Sequence, residues 1–212
     1  MRILVISDVH GNLPALEFIL KKEKSVDSVI SLGDVVNYGP WSNECVSLMD
    51  SLPNKVLILG NHEEAFISGN YNGNNIIAKT FFNTCFPTFN KRESIIKYVE
   101  KFSIKNVEFV HTINSSYIYL DSDIKIENDT FIGHSHRMFC KKIDDYRLVN
   151  VGSVGQNRIN IEIINYVIWD SDKNSVELFE VEFSANQLIK EMEMKNFPEI
   201  CINYILSKRN KL

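Results

Sequence analysis

The sequence predicts an α/β fold built on a parallel sheet, and three observations carry that reading. First, Ile3-Leu4-Val5-Ile6, Val29-Ile30-Ser31-Leu32 and Val56-Leu57-Ile58-Leu59 are short apolar runs without polar alternation. Such runs mark strands buried on both faces. Second, each run closes in a polar, glycine-containing loop that leads into a helical pattern, and this repeated strand-loop-helix order is that of βαβ units. Third, each of those loops carries potential ligands at the carboxyl end of its strand, where open α/β sheets place their sites.

The first loop is Ser7-Asp8-Val9-His10-Gly11-Asn12. The helix after it has Pro14 in its first turn, where a missing N–H costs nothing, and Leu13, Leu16 and Leu20 on one side. The second strand ends in Gly33-Asp34 and is followed by a helix over Ser42–Ser51. The third ends in Gly60-Asn61-His62-Glu63, with Glu63 and Glu64 at the positive start of the next helix. Between Ser68 and Asn90 a turn-rich stretch precedes Phe81, Phe82, Phe86 and Phe89. It reads as a short helix packing its rings on the body, with a lid over the site as the alternative. A further helix is expected over Arg92–Phe102. The second half is mostly β: Val107–Val110, Thr130–Ile132 and Arg147–Val151 read as strands. Asn160–Trp169 and Ser175–Phe183 form a hairpin turning at Asp170–Asn174. Two helices follow, over Ala185–Lys195 and Glu199–Lys208, and Lys208-Arg209-Asn210-Lys211 reads as a solvated, frayed end. Neither a linker nor a repeat interrupts the chain, so residues 1–212 are expected to form one domain.

Composition narrows the function. Of 212 residues, 44% are hydrophobic and 24% charged, as in ordinary globular proteins. A net charge of -4 offers no basic footprint for stable nucleic-acid binding. No segment is apolar enough for a membrane span, and the amino-terminal apolar run is too short for a signal peptide. Cys45, Cys85, Cys140 and Cys201 are scattered and read as free thiols of a cytoplasmic protein.

All 5 histidines fall beside turn residues or carboxylates: His10, His62, His111, His134 and His136. In Gly133-His134-Ser135-His136 two imidazoles stand two residues apart, on one side of an extended chain. Together Asp8, His10, Asp34, Asn61, His111, His134 and His136 offer oxygen and nitrogen donors without a thiolate. That set suits Mn, Fe, Zn or Ni of a hydrolytic site better than a closed structural zinc site. It exceeds what one ion takes and fits two ions about 3.5–4 Å apart, sharing a carboxylate. Two dications less two carboxylates and a bridging hydroxide leave a positive remainder that suits a phosphoester. His62, adjacent to Asn61, is then free to face the substrate as general acid. Tyr38 and Arg158 are candidate substrate-binding residues, with a hydrophobic edge and a surface ion pair as their bland alternatives.

These motifs, in order Asp8-x-His10, Gly33-Asp34, Gly60-Asn61-His62-Glu63, His111 and Gly133-His134-x-His136, resemble the calcineurin-like metallophosphoesterase superfamily. Gly33-Asp34-Val35-Val36-Asn37-Tyr38-Gly39-Pro40 and Asn150-Val151-Gly152-Ser153-Val154-Gly155-Gln156-Asn157-Arg158 resemble its small single-domain bacterial and archaeal phosphodiesterase branch. The likeness covers nearly the whole chain. It implies a four-layer α/β/β/α sandwich with two central mixed sheets. It also implies Asp8, His10, Asp34 and His136 on one ion, and Asp34, Asn61, His111 and His134 on the other. The implied activity is hydrolysis of phosphodiesters in small, nucleotide-like substrates by a bridging hydroxide, with manganese as the expected metal and a homodimer as a possible assembly. The alternatives are a protein or phosphomonoester phosphatase, a dinucleoside polyphosphate hydrolase, and a non-catalytic scaffold such as the retromer subunit of this fold. Three positions depart from the pattern without removing a ligand: Thr112 and Asn37 where glycine is usual, and Asn157 where proline is usual.

Overall fold

Ile3, Leu4, Val5 and Ile6 are all buried, because the strand that carries them has a core on each face. The structure is a computed structural model. It describes residues 1–209, so Asn210 and Lys211 of the expected solvated end lie outside the described residues. Chain order gives β1 (Arg2–Ile6), α1 (Leu13–Lys22), β2 (Ser28–Ser31), α2 (Ser42–Ser51), β3 (Lys55–Leu57), α3 (Asn61–Ser68), α4 (Ile76–Cys85) and α5 (Arg92–Ile95). Then come β4 (Lys101–Ile104), β5 (Val107–Val110), β6 (Asp129–Ile132), β7 (Phe139–Ile143), β8 (Tyr146–Asn150), β9 (Ile163–Asp170), β10 (Ser175–Glu182), α6 (Asn186–Met194) and α7 (Glu199–Ser207).

The strands form two mixed five-stranded sheets, ordered β10-β9-β1-β2-β3 and β4-β5-β6-β8-β7. The expected parallel sheet is the β1-β2-β3 half of the first, with Val5 opposite Ile30 and Ile30 opposite Val56. The antiparallel hairpin β9-β10 extends it beside β1. Side chains alternate across the strands, so the two sheets share one core of Ile3, Val5, Ile30, Phe109, Phe131 and Trp169. The opposite face of the first sheet, through Leu4, Ile6, Tyr166 and Ile168, packs on the helices. The far face of the second is covered by Ile113, Ile118, Ile124 and Ile126 of an irregular segment rather than by helices. Phe81 and Phe82 are buried in the helical core, and Phe86 and Phe89 pack against it, as expected of a packed helix.

Several expectations change. The helix expected over Arg92–Phe102 stops at Ile95, and β4 starts at Lys101. Val99 forms a parallel bridge with Ile58: its N–H donates to the Leu57 carbonyl, and its carbonyl accepts from the Leu59 N–H. Those sheet bonds claim backbone groups that a continuing helix would have used. Edge strands β4 and β7 bury little, and Lys-rich Phe139–Ile143 gives no continuous apolar signal. Arg209 is not a solvated end residue: its guanidinium reaches Glu162 at 2.9 Å and Asn186 at 2.7 Å.

Candidate metal centre

Each expected ligand follows a strand's carboxyl end, Asn61 as the first residue of α3 and the others in loops. Main-chain bonds lock those loops together: Asp8 N–H donates to the Gly33 carbonyl, His10 N–H to that of Asp34, and Gly133 N–H to that of His111. Asp8, His10, Asp34, His134 and His136 all have left-handed backbone, with φ between 49 and 66°. Such strain costs about 1–3 kcal/mol per residue and persists where the surroundings over-determine it. Glu63 supplies part of that determination. Its buried carboxylate accepts from the N–H groups of Asp34, Val35, Val36 and Gly60 at 2.7–3.1 Å, so it pins the Asp34 loop as well as starting α3. Burial and the neighbouring Asp34 charge push it up to about 7.

The donors converge. Asp8 Oδ1 lies 3.1 Å from His136 Nε2 and 3.7 Å from His10 Nε2, and these two imidazole nitrogens are 3.2 Å apart. Asp34 Oδ2 lies 3.3 Å from His111 Nε2, 3.9 Å from His10 Nε2 and 4.0 Å from His62 Nε2. His111 Nε2 is 3.0 Å from both Asn61 Oδ1 and His134 Nδ1. All seven expected ligands are therefore in one place. Asp8, His10 and His136 group on one side and Asp34, His111 and His134 on the other, while His62 reaches Asp34 and His10 between them.

Main-chain carbonyls orient the rings. His10 Nδ1 donates to the Val36 carbonyl (3.1 Å), His111 Nδ1 to Leu32 (2.8 Å) and His136 Nδ1 to Gln156 (2.5 Å). With the proton on Nδ1, the Nε2 lone pairs of His10 and His136 point inward. The His10 and His136 lone pairs then face each other, and the buried Asp8 Oδ1 beside them accepts no hydrogen bond. Facing acceptors repel unless a cation lies among them. The donor set thus fits divalent ions, and a carboxylate flanked by two donor groups fits a pair of them. Burial pulls the His10 imidazole well down, and the nearby His136 lowers it further, which keeps it in the neutral, ligating form. His134 is lowered to about 4 by burial and by His111. Burial also lowers His111, but Asp34 raises it more, to about 10, so metal uptake there displaces a proton.

The softer expectations divide. Tyr38 is buried, packing on Phe81 (4.6 Å), and its ring lies 4.7 Å from His10 and 5.3 Å from His62. Arg158 makes no ion pair with a described carboxylate. Its guanidinium carbon lies 5.1 Å from the Tyr117 ring centre. The Thr112 hydroxyl turns away to the Ser116 carbonyl (2.5 Å) and leaves the ligands uncrowded. Sequence reasoning missed Asn37 as the partner of His62 (amide nitrogen to Nδ1, 2.9 Å) and Asn150, which holds the Gly133 carbonyl and the Ser135 hydroxyl. It also missed Tyr71, Tyr117 and Tyr204, which lie in segments without a ligand signal. The site opens beside Asn61, His111, Thr112 and His134 into a groove of about 710 Å³.

Gly133 has no room for a side chain. A Cβ there would overlap the Ser7 hydroxyl and sit 2.7 Å from Asp8 Oδ2. Gly133→Ala should displace the His134–His136 loop, lowering metal content and turnover together while leaving the fold intact. Full metal content in that variant would show that the loop tolerates the shift.

Residues 1–186 match the family model described as calcineurin-like phosphoesterase. An uncharacterized protein of Methanocaldococcus jannaschii is 30% identical over an aligned 231 positions, spanning 93% of this chain and 94% of its own. A metallophosphoesterase from Sphaerobacter thermophilus superposes with a TM-score of 0.78 at 25% identity, over 98% of this chain and 100% of its own. A hypothetical protein from Pyrococcus horikoshii superposes at 0.82 with 15% identity, over 96% and 97%.

Proposed function

The chain belongs to the calcineurin-like phosphoesterase family, and on that premise we propose that it is a dinuclear-metal phosphodiesterase acting on small substrates. The observation that carries the proposal is the convergence of inward-facing His10 and His136 nitrogens on the unpartnered Asp8 Oδ1, beside the second cluster around Asp34. Asp8, His10, Asp34 and His136 would hold one ion, and Asp34, Asn61, His111 and His134 the other. Manganese is the proposed metal and the cytoplasm the proposed location, in keeping with four free cysteines. No described helix is long and apolar enough to cross a membrane.

Bound divalent ions supply a hydroxide nucleophile from water near neutral pH and neutralise phosphate charge. The chain's own residues do the rest. Asp34 and Asn61, on the His111 side of the site, would hold the ions against which a phosphoryl group sits. His62, whose Nε2 faces Asp34 Oδ2, donates a proton to the leaving oxygen. Asn37 fixes the His62 ring by occupying its Nδ1. A scaffold reading has no comparable support, because a scaffold needs neither the inward tautomers nor an oriented His62.

Diesters should be preferred over monoesters. Related protein phosphatases carry an arginine where Tyr38 stands, and a guanidinium grips a dianion through two hydrogen bonds. Tyr38 is neutral, so the monoester, with close to two charges near neutral pH, loses more than the singly charged diester. Manganese analysis of the purified protein, with catalytic efficiencies on bis(p-nitrophenyl) phosphate and p-nitrophenyl phosphate, tests the proposal. Bound metal with faster diester hydrolysis is expected. A higher efficiency on the monoester overturns the diesterase reading in favour of a phosphatase.

A further inference from the structure

We propose that Tyr38, Tyr71, Tyr117 and Tyr204 form, with Arg158, a collar over the metal centre that binds the nucleoside half of a nucleoside phosphodiester. The proposal rests on the phosphodiesterase reading above and names its substrate class.

The four rings come from four separate segments; three lie against imidazoles and the fourth, Tyr204, against Tyr38. Tyr38 stands edge-on to His10 and His62. Tyr71 lies nearly parallel to His62, with centres 6.0 Å apart, and Tyr117 nearly parallel to His134 at 4.2 Å. Tyr204, on α7, lies 6.2 Å from Tyr38. Rings serving only as core would be covered, yet Tyr117 is 50% exposed and Tyr71 and Tyr204 are only partly buried.

Arg158 supplies the collar's charge. Its guanidinium packs over Tyr117, and its buried Nε has no hydrogen-bond partner. The guanidinium makes no ion pair with a described carboxylate, so its charge is available to an anionic ligand. One cation among neutral phenols suits the single charge of a diester. Flat π-faces suit a nucleobase, since every base presents one. An aliphatic rim would not distinguish a base from an alkyl group, and a rim of several lysines would favour a dianion.

Tyr204 brings the last helix, which begins at Glu199, into the collar. The helix is tied into the site: Gln156 Nε2 donates to the Tyr204 hydroxyl at 2.9 Å, and the Gln156 carbonyl accepts from His136.

The test compares thymidine 5′-(p-nitrophenyl phosphate) with methyl p-nitrophenyl phosphate on the manganese-loaded protein. Both release p-nitrophenol, so the ratio of their kcat/KM values isolates the group that stays on phosphorus. The wild type should favour the thymidine ester about 5- to 150-fold, the range of base–aromatic stacking. Tyr204→Leu and Tyr71→Leu should each lower that ratio toward one, and calorimetric titration with thymidine 5′-monophosphate should weaken in parallel. Tyr204→Phe, which keeps the ring but loses the bond to Gln156, should keep the ratio. A wild-type ratio near one, or equal losses on both esters in both leucine variants, overturns the collar. A fall in Tyr204→Phe matching that of Tyr204→Leu assigns Tyr204 to holding the His136 loop and removes it from the collar. Failure to hydrolyse either ester instead removes the phosphodiesterase reading, and the collar with it.

Discussion

Asp34→Asn should cost turnover about 10³-fold or more, the several kcal/mol that metal charge stabilisation contributes to such a transition state. Asp34 Oδ2 faces His111, His10 and His62 within 4.0 Å, so it stands where two ion sites would share a ligand. Its Oδ1 accepts the His62 N–H at 2.9 Å, a bond that asparagine retains through its own oxygen. The substitution therefore removes charge at the shared position while keeping shape and the start of α3. Metal content should fall at both sites, not one, as read by metal analysis of the purified variant beside its turnover. A variant holding its full metal complement with near-normal turnover would end the assignment of Asp34 as the shared ligand.

His62→Ala should behave differently: metal content stays nearly constant, and turnover drops by about 10²–10⁴-fold, the usual contribution of general acid catalysis. Burial lowers the His62 pKa, which makes its imidazolium the stronger proton donor to a leaving oxygen. The Asn37 amide lies 2.9 Å from Nδ1 and holds the ring with Nε2 toward Asp34 Oδ2. An amide at residue 37 orients this ring without the charge a carboxylate would add. The loss should be largest for diesters with alkoxide leaving groups and smaller for p-nitrophenolate, which needs no proton. Equal losses across a leaving-group series would reject the acid role and leave His62 with phosphate binding alone.

The sequence on its own picked out positions that the fold brings together. Every position named from it, Asp8, His10, Asp34, Asn61, His111, His134 and His136, lies in one cluster. Short apolar runs ending in ligand-bearing loops leave little choice, because parallel strands in one sheet bring their carboxyl ends to one edge. The strands of the first half were legible for the same reason: Ile3–Ile6 is apolar on both faces, and only a doubly covered strand satisfies it.

Other features depended on contacts far apart in the chain. Val99 ends in a bridge to Ile58 instead of a helix because partner carbonyls at Leu57 outcompete local helical bonds, and an isolated apolar stretch cannot show that competition. Glu63 looked like a helix-starting acid, yet it also collects N–H groups from the loop 27–29 positions earlier. Asn37 as the partner of His62, and Tyr204 reaching the site from the last helix, follow from where loops and helices pack, not from any local pattern. Local hydrophobicity and turn chemistry act over a few residues and so are written in the sequence. The tautomer of each imidazole, the burial of each carboxylate and the rings around the centre are set by groups that only the folded chain brings within hydrogen-bonding distance.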